Sequence, residues 1–318
     1  MKKGIKNVAV SVHNRLLQRA KDEGRAFNEL LQLYGLKRLL YRISRSEDAD
    51  RFVLKGALML PLWGDGIART TKDIDLHGRQ TATVDEIVSV IRSSVAVDVE
   101  DDGLRFPVDE VAGDEIRLEA KYDGVRVRLR AYLGKAVIAL QVDVGFGDVI
   151  KPAPSSITYP TLLDFPAPTL LGYPPETTIA EKLEAMVSLD VRNTRLKDFL
   201  DIWLLAQRRE FEGARIVEAI RATFERRGTQ LPTEIPVALT DGYLDLPARQ
   251  RQWQAYLKKG RIEGAPDSLA DVAQVIVRFL MPVVEAARGL DSLPGRWPAG
   301  GPWQAGPHGA PMALLNRF

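Results

Sequence analysis

The stretch from Phe52 to Leu76, FVLKGALMLPLWGDGIARTTKDIDL, constrains this chain more than any other. It reads as a short strand (Phe52-Val53-Leu54), a turn at Lys55-Gly56, a short apolar helix ended by Pro61 and Gly64, a polar loop, and a second strand carrying Asp73 and Asp75. Successive strand side chains point to opposite faces, so Ile74 and Leu76 can enter a core while Asp73 and Asp75 share the other face. Two adjacent carboxylates repel unless a cation lies between them. Hard cations such as magnesium take carboxylate oxygens and are shared with phosphates, and paired ions can stabilise both the attacking and the leaving oxygen of an in-line displacement. Upstream, Gly56 lets backbone approach a phosphate, and the helix after it offers unpaired N–H groups to an anion. An isolated Asp-x-Asp also suits a solvated strand edge. The glycine turn and the alternating apolar residues favour the metal reading.

Other phosphate and metal motifs fail. Asp73, Asp75 and Gly78 resemble the start of a calcium loop, but Val84 stands where its bidentate Glu belongs. Gly64 and Gly66 are followed by Arg69 in place of a third glycine, and no G-x-x-x-x-G-K-[ST] occurs. Phosphate chemistry here has to be centred on metal. The chain has no Cys and only His13, His77 and His308, which removes thiolate zinc sites and cysteine nucleophiles and argues against a Ser-His-Asp triad. Its 318 residues suffice for one large or two ordinary domains of soluble composition. The start MKKGIKNVAVSVHNRL lacks a signal-peptide apolar run. No stretch reaches ~18 uninterrupted apolar residues, so no membrane partner and a cytoplasmic location are expected.

The net charge of +2 conceals an asymmetry. Met1–Arg45 holds eleven Lys/Arg against three Asp/Glu, and Asp98–Asp123 holds ten acidic against three basic residues. A basic end can meet a polyanion such as RNA or be an ordinary solvated helical face.

In chain order, Val12–Ile43 has helical periodicity with breaks at Gly24 and Gly35, and Thr83–Ser93 reads as a helix. Short alternating segments follow at Ala96–Val99, Gly103–Val108, Ile116–Tyr122, Val125–Leu133 and Ala136–Val144, the pattern of an antiparallel meander. Val125, Val127 and Leu129 point inward and Arg126, Arg128 and Arg130 outward, a face for RNA or triphosphate or simply for solvent. In Gln141-Val142-Asp143-Val144, a strand beside Asp73 and Asp75 would bring Asp143 to the same cations as ligand or base. Asp143 could equally be held by the backbone of Gly145 and Gly147.

The prolines of 152–175 mark a boundary, after which the chain turns helical. Lys182 falls at the margin of the stripe Ile179, Leu183, Met186 and Val187, while Asp198 and Asp201 share a face with Ile202 and Leu205. Either the lysine forms a buried ion pair with these aspartates, or it reaches nucleotide phosphates with Asp198 positioning it. Further helices are expected at Gly213–Arg227, Leu246–Leu257 and Ser268–Ala287. The Gly/Pro-rich tail from Asp291 is expected to be disordered, or an arm ordered by a partner, with Trp297 and Trp303 favouring the arm. The layout is thus 1–50 basic helices, 51–165 core, 166–290 helical domain and 291–318 tail.

The segments Lys55-Gly56, RTTKDIDL (69–76), VDVGFGD (142–148), AEKLEAM (180–186) and NTRLKDFLDI (193–202) occur in the order found in the AbiEii/AbiGii nucleotidyltransferase toxin family, MenT-like toxins included, and the chain resembles that family over roughly Phe52–Leu205. The resemblance implies an α+β fold: a DNA polymerase β-like nucleotidyltransferase core, a mixed sheet with flanking helices, plus a helical C-terminal domain. It implies a magnesium-dependent enzyme using a nucleoside triphosphate, acting on RNA such as the tRNA 3′ end to block aminoacylation, and restrained by an antitoxin protein. Residue by residue, it makes Asp73 and Asp75 the metal pair, with Asp143 the third carboxylate chosen above. Lys182 becomes the nucleotide-contacting lysine, Asp198 its companion, Lys55 and Gly56 the phosphate turn, and Thr71 a hydroxyl beside the metal where modification would disable the site. The turn departs from the family's Gly-Gly or Gly-Ser, being Gly56-Ala57 here. Transfer to a protein or small-molecule hydroxyl, and a non-catalytic binding module, are the alternatives.

Overall fold

The computed structural model describes residues 7–64, 71–118, 122–290 and 295–305. Arg69, Thr70 and the whole sequence beyond 305 lie outside them, as does the centre of the expected strand at 116–122. The chain forms two compact units, one from Met1–Met59, Thr70–Gly147 and Ser155–Gly172, the other from Leu60–Arg69, Asp148–Pro154 and Tyr173–Phe318.

The first unit opens with α1 (Val8–Asp22) and α2 (Phe27–Arg45), then β1 (Phe52–Lys55). The short α3 (Leu60–Trp63) belongs to the second unit. Pro61 lies inside α3 and does not end it, since a first helical turn needs no N–H there. The first unit continues with β2 (Asp73–Gly78), α4 (Val84–Val95), β3 (Leu104–Arg105), β4 (Ala112–Leu118), β5 (Tyr122–Leu133), β6 (Ala136–Phe146), β7 (Ser155–Thr158) and β8 (Thr169–Gly172). These strands make one mixed sheet in the order β3-β5-β6-β2-β1-β8-β7, with β4 also on β5. The pairs β2–β6 and β1–β8 are parallel and the others antiparallel. Thr83 and Glu86 close a reciprocal cap at the start of α4.

Three local expectations change. Residues 96–99 form no strand, and the expected strand at 103–108 shrinks to β3. Asp101 and Asp102 turn the chain just before it, accepting hydrogen bonds from the backbone N–H groups of Gly103 and Leu104. Gly35 breaks nothing: it sits inside α2, where an added Cβ would stand 3.1 Å from Ile138 and 3.2 Å from Leu140, so the glycine is a notch that seats the helix on β6.

The third change concerns charge. From Tyr34 to Ile43 every residue of α2 is buried, including Lys37, Arg38 and Arg42. Asp102, from the acidic stretch, takes Arg38 Nε at 2.7 Å and Arg42 Nη1 and Nη2 at 2.6 and 3.1 Å. The two ends of the sequence-level asymmetry therefore partly neutralise each other inside the protein. Lys37 lies over the Tyr159 ring, and burial pushes its ammonium down to about 8.

The second unit continues with α5 (Pro175–Leu189), α6 (Leu196–Arg208), β9 (Phe211–Glu212), α7 (Gly213–Arg227), α8 (Asp241–Leu244), α9 (Pro247–Gly260), α10 (Leu269–Ala287) and β10 (Arg296–Trp297). Along α5 even Glu181 and Glu184 are buried, and Arg227 of α7 meets Glu184 at 2.8 Å. The tail is not wholly disordered or partner-dependent. β10 pairs with β9, Trp297 and Trp303 are buried, and their indole N–H groups donate to the carbonyls of Ala206 and Phe279. Two large aromatic surfaces with satisfied polar tips outweigh the flexible composition around them.

Removing one partner of a buried charge cluster leaves the others uncompensated. Asp102→Ala is therefore expected to lower unfolding free energy by about 3–5 kcal/mol, measured by urea denaturation. A loss below about 1 kcal/mol would mean that both guanidinium groups find water instead.

Candidate active site

Parallel pairing of β2 with β6 sets Asp75 opposite Asp143, flanked by Ile74 opposite Val142 and Leu76 opposite Val144. Opposed residues share a face. The four apolar side chains are buried on the side that α2 covers, and the carboxylates stand on the other. Asp73, Asp75 and Asp143 each offer an oxygen, all within 4.8 Å of one another, with Asp143 buried and the other two half-buried. The three expected metal ligands are thus brought together. An all-carboxylate oxygen set with no nitrogen or sulfur donor suits a hard cation such as magnesium.

Each carboxylate has a support. The Thr71 hydroxyl donates to Asp73 Oδ1. Gly56 has a structural role besides the phosphate contact expected of it: at φ +74° it lies so close to Asp75 that an added Cβ would sit 2.0 Å from Oδ2. No other residue type can occupy this turn without moving the carboxylate or the strand. Lys55 pairs with Asp75 in the β1–β2 register.

Asp143 is held by Arg126, which donates from Nε at 2.8 Å and Nη2 at 2.7 Å, and by Gln141 at 3.2 Å. Gly145 continues β6, so the glycine-turn account of Asp143 does not apply. The hydrogen bond to Asp143 holds the Arg126 guanidinium above its ordinary pKa against the effect of burial, and the charges of Asp143, Asp73 and Asp75 add to it. Arg126 is therefore a fixed counter-charge of the cluster, not part of a solvated arginine face. Arg128 and Arg130 also meet acids, Asp114 and Glu110. The signal for Arg126 lies in the hairpin register: counting back from the Gly134-Lys135 turn puts it opposite Asp143.

In the second unit Lys182 and Asp198 form a cluster of their own. Lys182 Nζ lies 2.6 Å from Asp198 Oδ1 and 2.8 Å from Asp201 Oδ2, and Arg195 Nε completes Asp198. The lysine keeps 12% of its side-chain surface exposed, against 1% for each aspartate. Burial alone would raise the Asp198 pKa, but Lys182 and Arg195 override it and hold the carboxyl at about 2. The ion pair expected from the two helical faces is present, with Arg195 as a member the periodicity did not reveal.

A mixed sheet with flanking helices, a carboxylate trio on adjacent strands and a helical second unit are features of a nucleotidyltransferase. A profile of the nucleotidyl transferase AbiEii toxin family of type IV toxin–antitoxin systems matches residues 38–275, and the chain belongs to that family. The family is the one the motifs resemble. Two crystal structures from Helicobacter pylori are similar. A putative nucleotidyltransferase is 14% identical with a TM-score of 0.46, the match covering 83% of this chain and 98% of that one. JHP933 is 16% identical with a TM-score of 0.39, covering 80% and 90%. No curated protein sequence matches. Among the described residues, no helix is long and apolar enough to cross a membrane.

The Asp198 shift fixes a pH dependence. Its folded pKa of about 2 lies below the ordinary carboxylate value of about 4, so the stabilisation is complete above pH ~4 and lost as pH falls toward 2. Acid titration of unfolding free energy should show a loss of about 2 kcal/mol across that window, and Asp198→Asn should remove this part of the slope.

Proposed function

We propose that the protein is a magnesium-dependent nucleotidyltransferase toxin that transfers a nucleoside monophosphate from a nucleoside triphosphate to an RNA hydroxyl, the tRNA 3′ end being the first acceptor to test. The observation that carries this reading is the trio Asp73, Asp75 and Asp143 within 4.8 Å in a member of this family. The acceptor oxygen bonds to the α-phosphorus, the bond from that phosphorus to the β-phosphate oxygen breaks, pyrophosphate leaves, and the hydroxyl proton passes to water. Magnesium bound by the three aspartates would draw charge from the phosphoryl oxygens and align hydroxyl with phosphorus.

The chain's own residues set the geometry. Thr71 orients Asp73, Gly56 leaves room for Asp75, and Arg126 fixes Asp143. Both Asp143 oxygens already accept from Arg126, which favours the ligand role over that of proton acceptor. Backbone at Lys55-Gly56 serves the triphosphate without a side-chain hydroxyl, since the next residue is Ala57. Lys182, braced by Asp198 and Asp201, contributes its charge to the nucleotide phosphates. A cognate antitoxin protein counters the toxin, in keeping with a type IV system.

Incubation with magnesium, total tRNA and each labelled nucleoside triphosphate should put label on RNA with at least one nucleotide, and Asp73→Ala should abolish it. Label on protein or a small molecule, with none on RNA, would redirect the acceptor to those classes. Gly56→Ala should lower the rate on the order of a hundredfold in a folded protein, because an ångström of misplacement at the reacting groups has that scale of effect. An unchanged rate would sink the role given to the Gly56–Asp75 contact.

A further inference from the structure

Several cations of the first unit have acidic partners: Arg38 and Arg42 are matched by the buried Asp102, and at the surface Arg25 meets Glu29, Arg128 meets Asp114 and Arg130 meets Glu110. Helix α9 differs. From Leu246 to Ile262 the sequence LPARQRQWQAYLKKGRI holds five Arg or Lys and no Asp or Glu. Trp253 and Leu257 are buried, which turns Ala248, Arg251, Ala255, Lys258 and Lys259 outward, all exposed. Among the described residues, Arg251, Lys258 and Lys259 have no carboxylate partner. Arg251 and Lys258 are two turns apart, about 10 Å along the helix.

The cationic face continues at both ends. At the N-terminal end Arg249 stacks over Tyr243, 4.6 Å from the ring centre, and donates to the Val191 carbonyl at 3.3 Å, while the Tyr243 hydroxyl donates to the Asn193 carbonyl. These contacts tie the helix to the 190–195 connection between α5 and α6, where Arg192 is exposed, and Lys197 is exposed in the first turn of α6. At the C-terminal end an open cleft of about 630 Å³ has Lys258 and Arg261 beside Leu257 and Ile262, with Glu263 and Asp267 also on its wall. Cations beside an apolar wall, with carboxylates to accept from an amino group, suit a nucleotide.

We infer that the outer face of α9, extended through Arg192 and Lys197, is the RNA-docking surface. The inference rests on the RNA-acceptor reading and assigns the docking to α9 instead of to the N-terminal helices or the β5 arginines. Arg251, Lys258 and Lys259, which have no carboxylate partner among the described residues, can neutralise phosphates by counterion release. Along the helix itself the outward apolar side chains are Ala248 and Ala255, too small to insert into a lipid surface, while Leu246 and Val191 are exposed at its N-terminal end.

Fluorescence anisotropy of labelled tRNA on the full chain tests it. Replacing Arg251, Lys258 and Lys259 together by Gln should weaken binding about tenfold or more near 0.1 M salt and flatten the log–log salt dependence by about two, with unchanged circular dichroism. Arg128→Gln with Arg130→Gln should leave affinity within about twofold. The single exposed change Lys258→Glu should act in the same direction as the triple change should the latter disturb folding. Wild-type affinity retained by both α9 variants would overturn the surface while leaving RNA as the acceptor. Loss of binding to anionic phospholipid vesicles with tRNA affinity intact would overturn it too. No tRNA binding by the wild type, with no label on RNA in the transfer assay, would overturn the acceptor reading itself.

Discussion

The parallel pairing of β2 with β6 is the interaction on which the site depends. Its register stacks Asp75 against Asp143 and places Asp73 two residues along, so main-chain hydrogen bonds hold like charges together. Such a register is affordable because the opposite face buries Ile74, Leu76, Val142 and Val144, and a slip by one residue would exchange the two sets. Arg126, on the far side of β6, then supplies the counter-charge through a second register. The carboxylate trio is therefore fixed by three strands.

The same device recurs at other places in the two units. Asp102 joins Arg38 and Arg42; Asp198 joins Lys182 and Arg195; Arg227 joins Asp148 and Glu184. Buried ions of this kind add little net stability over apolar packing, but each is severely penalised when one member is missing. They therefore discriminate between correctly and incorrectly packed arrangements more than they tighten the native one, and they explain how a chain with 27% charged residues can bury so many of them.

Sequence periodicity carries the local part of this fold well. The β2 alternation, the β5–β6 hairpin, α7 and the Ser268-capped α10 appear close to where their patterns put them, because each pattern is set by neighbours within a few residues. In the site, Asp73, Asp75 and Asp143 could be grouped from an Asp-x-Asp strand and a Val-Asp-Val strand. What could not be read depended on distant partners. Arg38 and Arg42 look like solvated helix residues until Asp102, some sixty positions away, is placed beside them. Gly35 looks like a break until Ile138 is seen above it, and Arg126 looks outward until the hairpin register is counted.

The aromatic closure of the second unit has a consequence for biosynthesis. Phe279 of α10 lies 4.9 Å from the Trp297 ring and 5.8 Å from that of Trp303, and Phe211 joins it at 5.4 Å. Both tryptophans leave the ribosome after every helix they cover, so Phe279 and Phe211 stay without that cover until then. A nascent or prematurely terminated chain would present this apolar surface to proteases and chaperones, which ties the lifetime of the toxin to completion of its own synthesis through Trp303.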